Sequence, residues 1–162
     1  MNIIRLDETL AEQAAPMAAA FRVTLSAFRG VEAKPNVEDG KAELLDFLRS
    51  GYPVFAAEEG GSLAGYLVCR IDGGCLWVEQ LYVREEYRRR GVGSLLFRKA
   101  EELAASMGEE TVYNYVHPNN EAVIRFLRSM GYQVLNLIEI RKPYRGEAPV
   151  ARIRVGNNEF DY

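Results

Sequence analysis

Arginine and glycine residues concentrate in one short segment, the stretch VEQLYVREEYRRRGVGSLL that runs from Val78 to Leu96. Its pattern predicts that a strand ends, a loop turns, and a helix begins at the pair Gly91 and Gly93. The free N–H groups of a helix start, together with the helix dipole, form a site for anions. Glycine has no Cβ, so the backbone can approach a phosphate closely. With the positive charge of arginines 88–90, the segment predicts a ligand that carries a pyrophosphate or several phosphates.

Other interpretations of this segment have to be weighed beside that one. Consecutive arginines often form a solvated surface, and a glycine pair often serves only a turn. A Walker A loop is excluded because no lysine follows the second glycine. The dinucleotide-binding fingerprint fails at its third position, where Leu96 stands instead of glycine.

The elements that must position this segment follow from apolar periodicity and turn residues. A helix bridges the fourth and fifth strands, which allows those two strands to lie side by side and parallel. We therefore expect an α/β (α+β) fold, with a mixed, mostly antiparallel sheet of six to seven strands and helices on both faces. A capping box, Thr9 to Glu12, is predicted to begin the first helix. The predicted strands are Asn2–Leu6, Tyr52–Glu58, Leu63–Ile71, Cys75–Val83, Thr111–His117, Tyr132–Arg141 and Val150–Val155, and the predicted helices cover about 10–28, 36–51, 92–108 and 120–131.

The composition predicts one folded domain over residues 1–162. The chain is 48% hydrophobic and 27% charged, the usual balance of a globular protein. A net charge of −3 is unlike a general nucleic-acid binder, the apolar runs are shorter than the ~20 residues of a membrane span, and no secretory signal is visible. Cys69, Cys75 and the single His117 give neither a disulfide scaffold nor a site of several histidines. We expect a cytoplasmic protein with no metal, no nucleic-acid partner and no membrane partner.

Two sequence blocks carry a family resemblance. The first is Arg88-Arg89-Arg90-Gly91-Val92-Gly93, after a strand that ends in LYV, and the second is NEAVIRFLRSMGY, residues 120–132. They resemble the R/Q-x-x-G-x-G/A signature and the asparagine-to-glycine-aromatic block of the GCN5-related N-acetyltransferase (GNAT) family, which binds acetyl-coenzyme A (acetyl-CoA). The predicted order of elements is also the family's order, and the resemblance is good over residues 52–132.

The resemblance implies a set of coenzyme contacts. Backbone amides from Arg89 to Ser94 are expected to hold the pyrophosphate, and main-chain groups of residues 81–83 to pair with the pantetheine arm. The Leu81 amide is expected to polarise the thioester carbonyl, because attack by an amine builds negative charge on that oxygen. Asn120 is expected to hydrogen-bond the coenzyme arm, although plain helix capping is an equally good interpretation. The full implied set is Leu81, Tyr82, Val83, Arg88, Arg89, Arg90, Gly91, Val92, Gly93, Ser94 and Asn120.

Proton transfer is the step for which the resemblance is incomplete. Some GNAT members use a carboxylate at about the place of Glu79 as the base that deprotonates the amine, and a structural glutamate is the alternative. The family often protonates the departing thiolate with a tyrosine, but Leu127 stands at that position. Tyr115 on the fifth strand is our candidate acid, and Tyr113, which faces the same side, is the alternative. Protonation by solvent is a further alternative, and aromatic packing against the sheet is the structural interpretation of both rings.

The resemblance leads to one main functional hypothesis and two competing ones. The main hypothesis is transfer of an acetyl group from acetyl-CoA to a primary amine of a small molecule or protein, by direct attack in a ternary complex. The first two helices and the segment between them, RGVEAKPNVEDG (residues 29–40), are expected to form one wall of the acceptor site. A coenzyme-binding module with little or no catalysis is the second hypothesis, and a nucleotide- or nucleic-acid-binding domain is the third. An edge strand near the C-terminus makes a homodimer a further expectation.

Overall fold

Five strands form one sheet in the order β1-β2-β3-β4-β5. In this computed structural model, which describes residues 1–149 and 151–162, β1 to β4 form an antiparallel meander and β5 lies parallel to β4. The sheet is thus mixed and mostly antiparallel, as predicted, with fewer strands than the expected six to seven. The strands are β1 (Asn2–Arg5), β2 (Val54–Glu59), β3 (Ser62–Asp72), β4 (Cys75–Val83) and β5 (Tyr113–Asn114).

Four α-helices accompany the sheet: α1 (Ala11–Phe28), α2 (Val37–Arg49), α3 (Val92–Ser106) and α4 (Glu121–Ser129). The predicted capping box at the first helix does not form. Instead, Asp7 accepts the Thr9 N–H at 2.9 Å and caps a short 3₁₀ turn that leads into α1. Asn36 caps α2 as its position predicts, because its Oδ1 accepts the N–H groups of Glu38 and Asp39.

The two faces of the sheet are covered by different helices. Alternate side chains of β2 and β3, such as Val54 and Tyr66, pack in one cluster with Met17 of α1 and Leu44 of α2. The residues of β2 and β3 between these face α3. Lys99 of α3, for example, lies 5.8 Å from the centre of the Phe55 ring. The strict alternation of a strand therefore separates an α1/α2 face from an α3 face.

The contact between α1 and α2 depends on small residues. Gly40 of α2 lies so close to α1 that an added Cβ would meet the Ala15 carbonyl oxygen at 2.6 Å and the Ala19 nitrogen at 2.8 Å. Both neighbouring atoms belong to backbone, which cannot rotate away. The helices can approach this closely only because residue 40 has no side chain.

Gly40→Ala is therefore expected to destabilise the fold, although alanine is the better helix former. We expect the free energy of unfolding to fall by about 1–3 kcal/mol, the usual effect of overpacking. Asp46→Ala, on the exposed side of the same helix, is the control and should change it by no more than about 0.5 kcal/mol. Urea unfolding measures both values. A Gly40→Ala protein as stable as the control would contradict the close approach of the two helices.

The chain after α4 departs most from the sequence prediction. Residues 1–131 and 132–162 are two separate compact units, and the second contains a two-stranded sheet of β6 (Arg152–Val155) and β7 (Asn158–Asp161). The predicted strand Tyr132–Arg141 has no regular structure, because alternating apolar residues form a strand only where a neighbour pairs with their N–H and C=O groups. The predicted start of the last strand, Val150, lies outside the described residues, and β7 was not predicted.

The fifth strand is also shorter than predicted, two residues rather than the expected Thr111–His117.

Among the described helices, none has the length and apolar character that crossing a bilayer requires.

Candidate functional site

The start of α3 leaves backbone N–H groups without helical partners. Gly91 is the N-cap residue with φ 81°, and no side chain in the described part of the chain caps the helix. The first helical bond runs from the Leu95 N–H to the Gly91 oxygen at 3.0 Å. The N–H groups of Val92, Gly93 and Ser94 precede that bond, so they point out of the helix start and can bind an anion.

The loop before α3 holds a strained residue. Arg89 has φ 61°, and it is the non-glycine residue with positive φ among those described. The left-handed conformation costs an ordinary residue about 1–2 kcal/mol. Left-handed residues such as Arg89 and Gly91 also occur in the anion-binding backbone turns called nests.

The neighbouring arginines support this loop with their side chains. The Nε of Arg88 donates to the Val83 oxygen at 2.9 Å, and its guanidinium lies 5.6 Å from the Tyr82 ring. The guanidinium of Arg90 pairs with Glu59 of β2 at 3.3 Å. Both side chains therefore tie the loop to the sheet while their charge stays beside the helix start.

Gly93 is not required by the protein's own packing. A Cβ at this position would make ordinary contacts, the nearest at 3.7 Å to the ring of Phe126. A steric need for glycine at 93 would therefore come from a ligand, whereas Gly91 is needed for its positive φ.

A β-bulge in β4 marks the second part of the site. Val68 of β3 pairs with Gln80 and Cys69 pairs with Val78, so Glu79 is an extra residue without a β3 partner. The pairing of β4 with β5 ends at the same place, since it includes only Trp77 and Val78 of β4. Beyond Val78, and within residues 1–131, no strand covers the outer edge of β4.

The ladder determines which backbone groups of β4 point to this open edge. The Arg84 N–H donates to the Ala64 oxygen at 3.0 Å. Since hydrogen-bonded and non-hydrogen-bonded pairs alternate in an antiparallel ladder, Tyr82 directs its main-chain groups to β3, and Leu81 and Val83 direct theirs outward. Of the three residues expected to pair with pantetheine, Leu81 and Val83 are therefore the ones with outward groups. The Val83 oxygen already accepts the Arg88 bond but retains a second lone pair.

Glu79 is half-buried and paired with a cation. Its Oε1 accepts the Nε of Arg70 at 2.5 Å, and Arg70 also binds Asp72 at 2.5 Å. The hydrogen bond with Glu79 is the main reason that the pKa of Arg70 lies above its usual value. Glu79 is thus a carboxylate fixed at the bulge, beside the open edge of β4.

The tyrosines of β5 form an aromatic stack with Trp77. Their ring centroids lie 4.8 Å (Tyr113) and 4.7 Å (Tyr115) from the Trp77 centroid, and Tyr115 is 64% exposed. His117 stacks on Phe28 at 5.6 Å, and its pKa is lowered, mainly by burial. Because β5 runs parallel to β4 with Tyr113 opposite Trp77, the chain at Tyr115 continues toward the same end of the sheet as Glu79.

Asn120 is the N-cap of α4. Its Oδ1 accepts the Val123 N–H at 3.2 Å, so the capping interpretation holds in the protein alone. Leu127 of the same helix is buried and its side chain has no proton to donate.

A polar network beside the bulge was missed by the sequence analysis. Gln80 is the buried polar residue of the described chain, 5% exposed. Its Oε1 accepts the Tyr66 hydroxyl at 2.6 Å, and its Nε2 donates to Glu43 of α2 at 2.8 Å. Arg22 of α1 binds both oxygens of the Glu43 carboxylate, including the Oε1 that accepts from Gln80. A glutamine in step with the buried residues of β4 was the signal that could have shown it.

Comparison with known proteins decides the family. Residues 18–132 match the acetyltransferase (GNAT) family. This chain belongs to the GNAT family. The match spans the open edge of β4, the uncapped start of α3 and the whole of α4, and it confirms the resemblance of the two sequence blocks.

Individual GNAT relatives agree with this assignment. A tyramine N-feruloyltransferase of Nicotiana tabacum is 32% identical over 119 residues, which cover 72% of this chain and 51% of the tobacco enzyme. The chain thus spans about half the length of that curated relative.

Solved structures of the GNAT family share the fold. The PaiA N-acetyltransferase of Thermoplasma acidophilum, solved with coenzyme A, has a TM-score of 0.66 and 22% identity, over 80% of this chain and 89% of that one. The aminoglycoside N-acetyltransferase AAC(6')-Iy, solved with a bisubstrate analogue, has a TM-score of 0.66 and 18% identity, over 87% of this chain and 97% of that one.

Proposed function

We propose that this chain is an acetyl-CoA-dependent N-acetyltransferase that acetylates a primary amine by direct attack in a ternary complex. One observation supports it above all. The uncapped helix start at Gly91 and the uncovered edge of β4 follow one another along the chain, as an anion site next to an extended binding edge. Membership of the GNAT family and relatives with coenzyme A in their structures add to that support.

The start of α3 fits the phosphate end of acetyl-CoA. The N–H groups of residues 89–94 offer donors, and the arginines 88 and 90 offer positive charge, to a pyrophosphate. The outward groups of Leu81 and Val83 then pair with the amides of the pantetheine arm as an added strand would. Asn120, which uses Oδ1 for its helix cap, has its amide NH₂ group available as the donor to the coenzyme arm.

The residues of β4 and β5 near the acetyl group of the coenzyme carry out the reaction. Acetyl-CoA provides an activated acetyl group as a thioester. The Leu81 N–H donates to the thioester oxygen as negative charge grows there, an effect worth about 10²–10³ in rate. Glu79 accepts the amine's proton, directly or through water, while the new C–N bond forms and the C–S bond breaks. Tyr115 donates a proton to the departing thiolate.

The acceptor is proposed to be a small cationic amine. The tobacco relative is named for tyramine, and AAC(6')-Iy is named for aminoglycosides. In this chain Glu79 and Asp72 outnumber Arg70 in the cluster at the bulge, and the Arg70 guanidinium lies 5.6 Å from the Trp77 ring. The exposed ring of Tyr115, which stacks on Trp77, is the aromatic face that an acceptor could contact. Carboxylates and an aromatic face together suit a protonated amine.

An acceptor panel tests the proposal. Calorimetry should show that acetyl-CoA binds, and a thiol-release assay should show turnover with at least one of tyramine, a polyamine, an aminoglycoside and a lysine-containing peptide. Tight coenzyme binding without turnover of any amine would instead identify a coenzyme-binding module. No binding of acetyl-CoA would reject both functions.

Tyr115→Phe tests the proposed acid. We expect turnover to fall by no more than about tenfold, below the 10²–10⁴ range of an essential acid or base, because the thiol of coenzyme A is a good leaving group. Tyr113→Phe is the matched control, since both rings stack on Trp77, and its turnover should not change. Steady-state kinetics with the best acceptor measure both. Equal turnover in the two variants would remove Tyr115 as the acid.

A further inference from the structure

The bulge in β4 can be placed in more than one register. A bulge is one extra residue, and the same strand can in principle carry it one position earlier or later. Each shift changes which side chains of β4 face the core, because side chains alternate along a strand. Something must therefore select Glu79 as the extra residue.

Shifts in either direction would bury the charge of Glu79. If the extra residue were Gln80, Glu79 would pair with Val68 and face the carboxylate of Glu43. If it were Val78, Glu79 would pair with Cys69, which is fully buried. Burying an unpaired carboxylate is costly, so both alternative registers are disfavoured. This cost does not by itself supply contacts that hold the observed register.

The side chain of Gln80 supplies contacts that hold the observed register of the bulge. Its amide has a different partner on each side, the donor hydroxyl of Tyr66 on β3 at 2.6 Å and the acceptor carboxylate of Glu43 on α2 at 2.8 Å. Burial raises the pKa of Tyr66 well above its usual value, so this hydroxyl stays a donor. Arg22 orients the Glu43 carboxylate by bonding both of its oxygens. The amide satisfies both neighbours at once, whereas an ionised carboxylate at this position would have no donor for Glu43.

We propose that Gln80, held between Tyr66 and Glu43, is a positioning residue that fixes the bulge and thereby aims the Leu81 N–H and the Glu79 carboxylate at the reaction. The inference deepens the proposed function and rests on it for its catalytic consequence. The side chain of Gln80 lies on the α1/α2 face with those of Tyr66 and Val68, while its two neighbours in the chain, Glu79 and Leu81, form the site. Helices α1 and α2 thus help to position Glu79 and Leu81 through the buried amide of Gln80.

An exchange of charges between two positions tests this proposal. Gln80→Glu places two carboxylates against each other, whereas Gln80→Glu with Glu43→Gln restores a donor facing an acceptor with the roles reversed. For Gln80→Glu we expect amide hydrogen exchange of residues 79–83 to rise at least tenfold. We expect kcat to fall at least tenfold, and the KM for acetyl-CoA to change less than threefold because the start of α3 is untouched. The double variant should regain part of both losses, because the contact between positions 80 and 43 is restored while the amide at position 43 offers Arg22 one oxygen instead of two.

Two further variants keep the test decisive. Tyr66→Phe removes one hydroxyl from the network without adding a charge, and should produce the same local change in exchange to a smaller degree. Gln13→Glu is the control, because Gln13 also donates to a neighbour, the Gly61 oxygen at 2.9 Å, but lies far from the bulge in the chain. It should leave exchange at residues 79–83 and kcat unchanged.

The outcomes separate this inference from the proposed function. Failure of the double variant to recover, or normal kcat in Gln80→Glu despite faster exchange, overturns the positioning role. Faster exchange throughout α3 as well as β4 also overturns it, since that result indicates general destabilisation. If the wild-type chain acetylates no amine, the proposed function fails by itself, and exchange in the free protein still decides whether Gln80 fixes the bulge.

Discussion

Glu79→Gln is expected to lower kcat/KM for the acceptor amine by about 10²-fold or more near neutral pH, within the usual range for a general base. The amide has the shape of the carboxylate and can still bond Arg70, but it cannot accept a proton. At neutral pH the amine is mostly protonated and must lose a proton before it attacks. Kinetics of the best acceptor as a function of pH measure the effect.

The loss of kcat/KM in Glu79→Gln should become smaller as the pH rises. Primary alkyl amines have pKa values of about 10, so a growing fraction of the acceptor is already deprotonated in alkaline solution and needs no base. The ratio of wild-type to Glu79→Gln turnover should therefore decrease steadily from neutral pH to the pKa of the amine, about 10. A ratio that stays constant over the whole range would remove Glu79 as the base.

Asp72→Asn is the matched control for this prediction. Asp72 binds the same guanidinium at the same distance of 2.5 Å as Glu79, and its replacement removes the same charge. It lies at the end of β3, away from the open edge of β4. If Asp72→Asn loses as much activity as Glu79→Gln, the effect belongs to the charge of the cluster and not to proton transfer.

The parts of the site that local sequence determines were predictable. A strand ending in LYV, three arginines and a glycine pair place the start of α3 at Gly91–Val92, because the left-handed glycine and the helix that follows are short-range features. Asn120 and Asn36 cap helices for the same reason. The two blocks also lie within residues 18–132, the range that matches the family, so the same local features indicated the family.

The parts that depend on distant residues were not predictable. The bulge at Glu79 depends on Gln80, whose partners Tyr66 and Glu43 lie 14 and 37 residues away in the chain. Gly40 is a poor helix former inside a predicted helix, and only the packing of α2 against α1 explains it. The apolar run Tyr132–Arg141 has the pattern of a strand, but a pattern does not supply the neighbouring strand.

Gly91→Val is expected to weaken the binding of acetyl-CoA by roughly tenfold to a hundredfold. Residue 91 has φ 81°, which a β-branched side chain strongly disfavours, so the backbone must move and the N–H groups of residues 92–94 must turn with it. Hydrogen bonds to charged groups contribute about 1.5–3 kcal/mol, and each 1.4 kcal/mol is about a factor of ten in affinity. Calorimetry with acetyl-CoA measures the change.

Gly108→Val separates this effect from strain alone. Gly108 follows the other end of α3 with φ 84°, and an added Cβ there meets nothing within 4 Å, as at Gly91. Both variants should therefore lose a similar stability, about 1–2 kcal/mol for the left-handed conformation, as urea unfolding will show. Only Gly91→Val should also lose affinity for the coenzyme, because only the start of α3 has N–H groups that precede the first helical hydrogen bond. Equal affinity in the two variants would mean that the start of α3 does not bind the pyrophosphate, and the proposed placement of acetyl-CoA along β4 would then have no anchor.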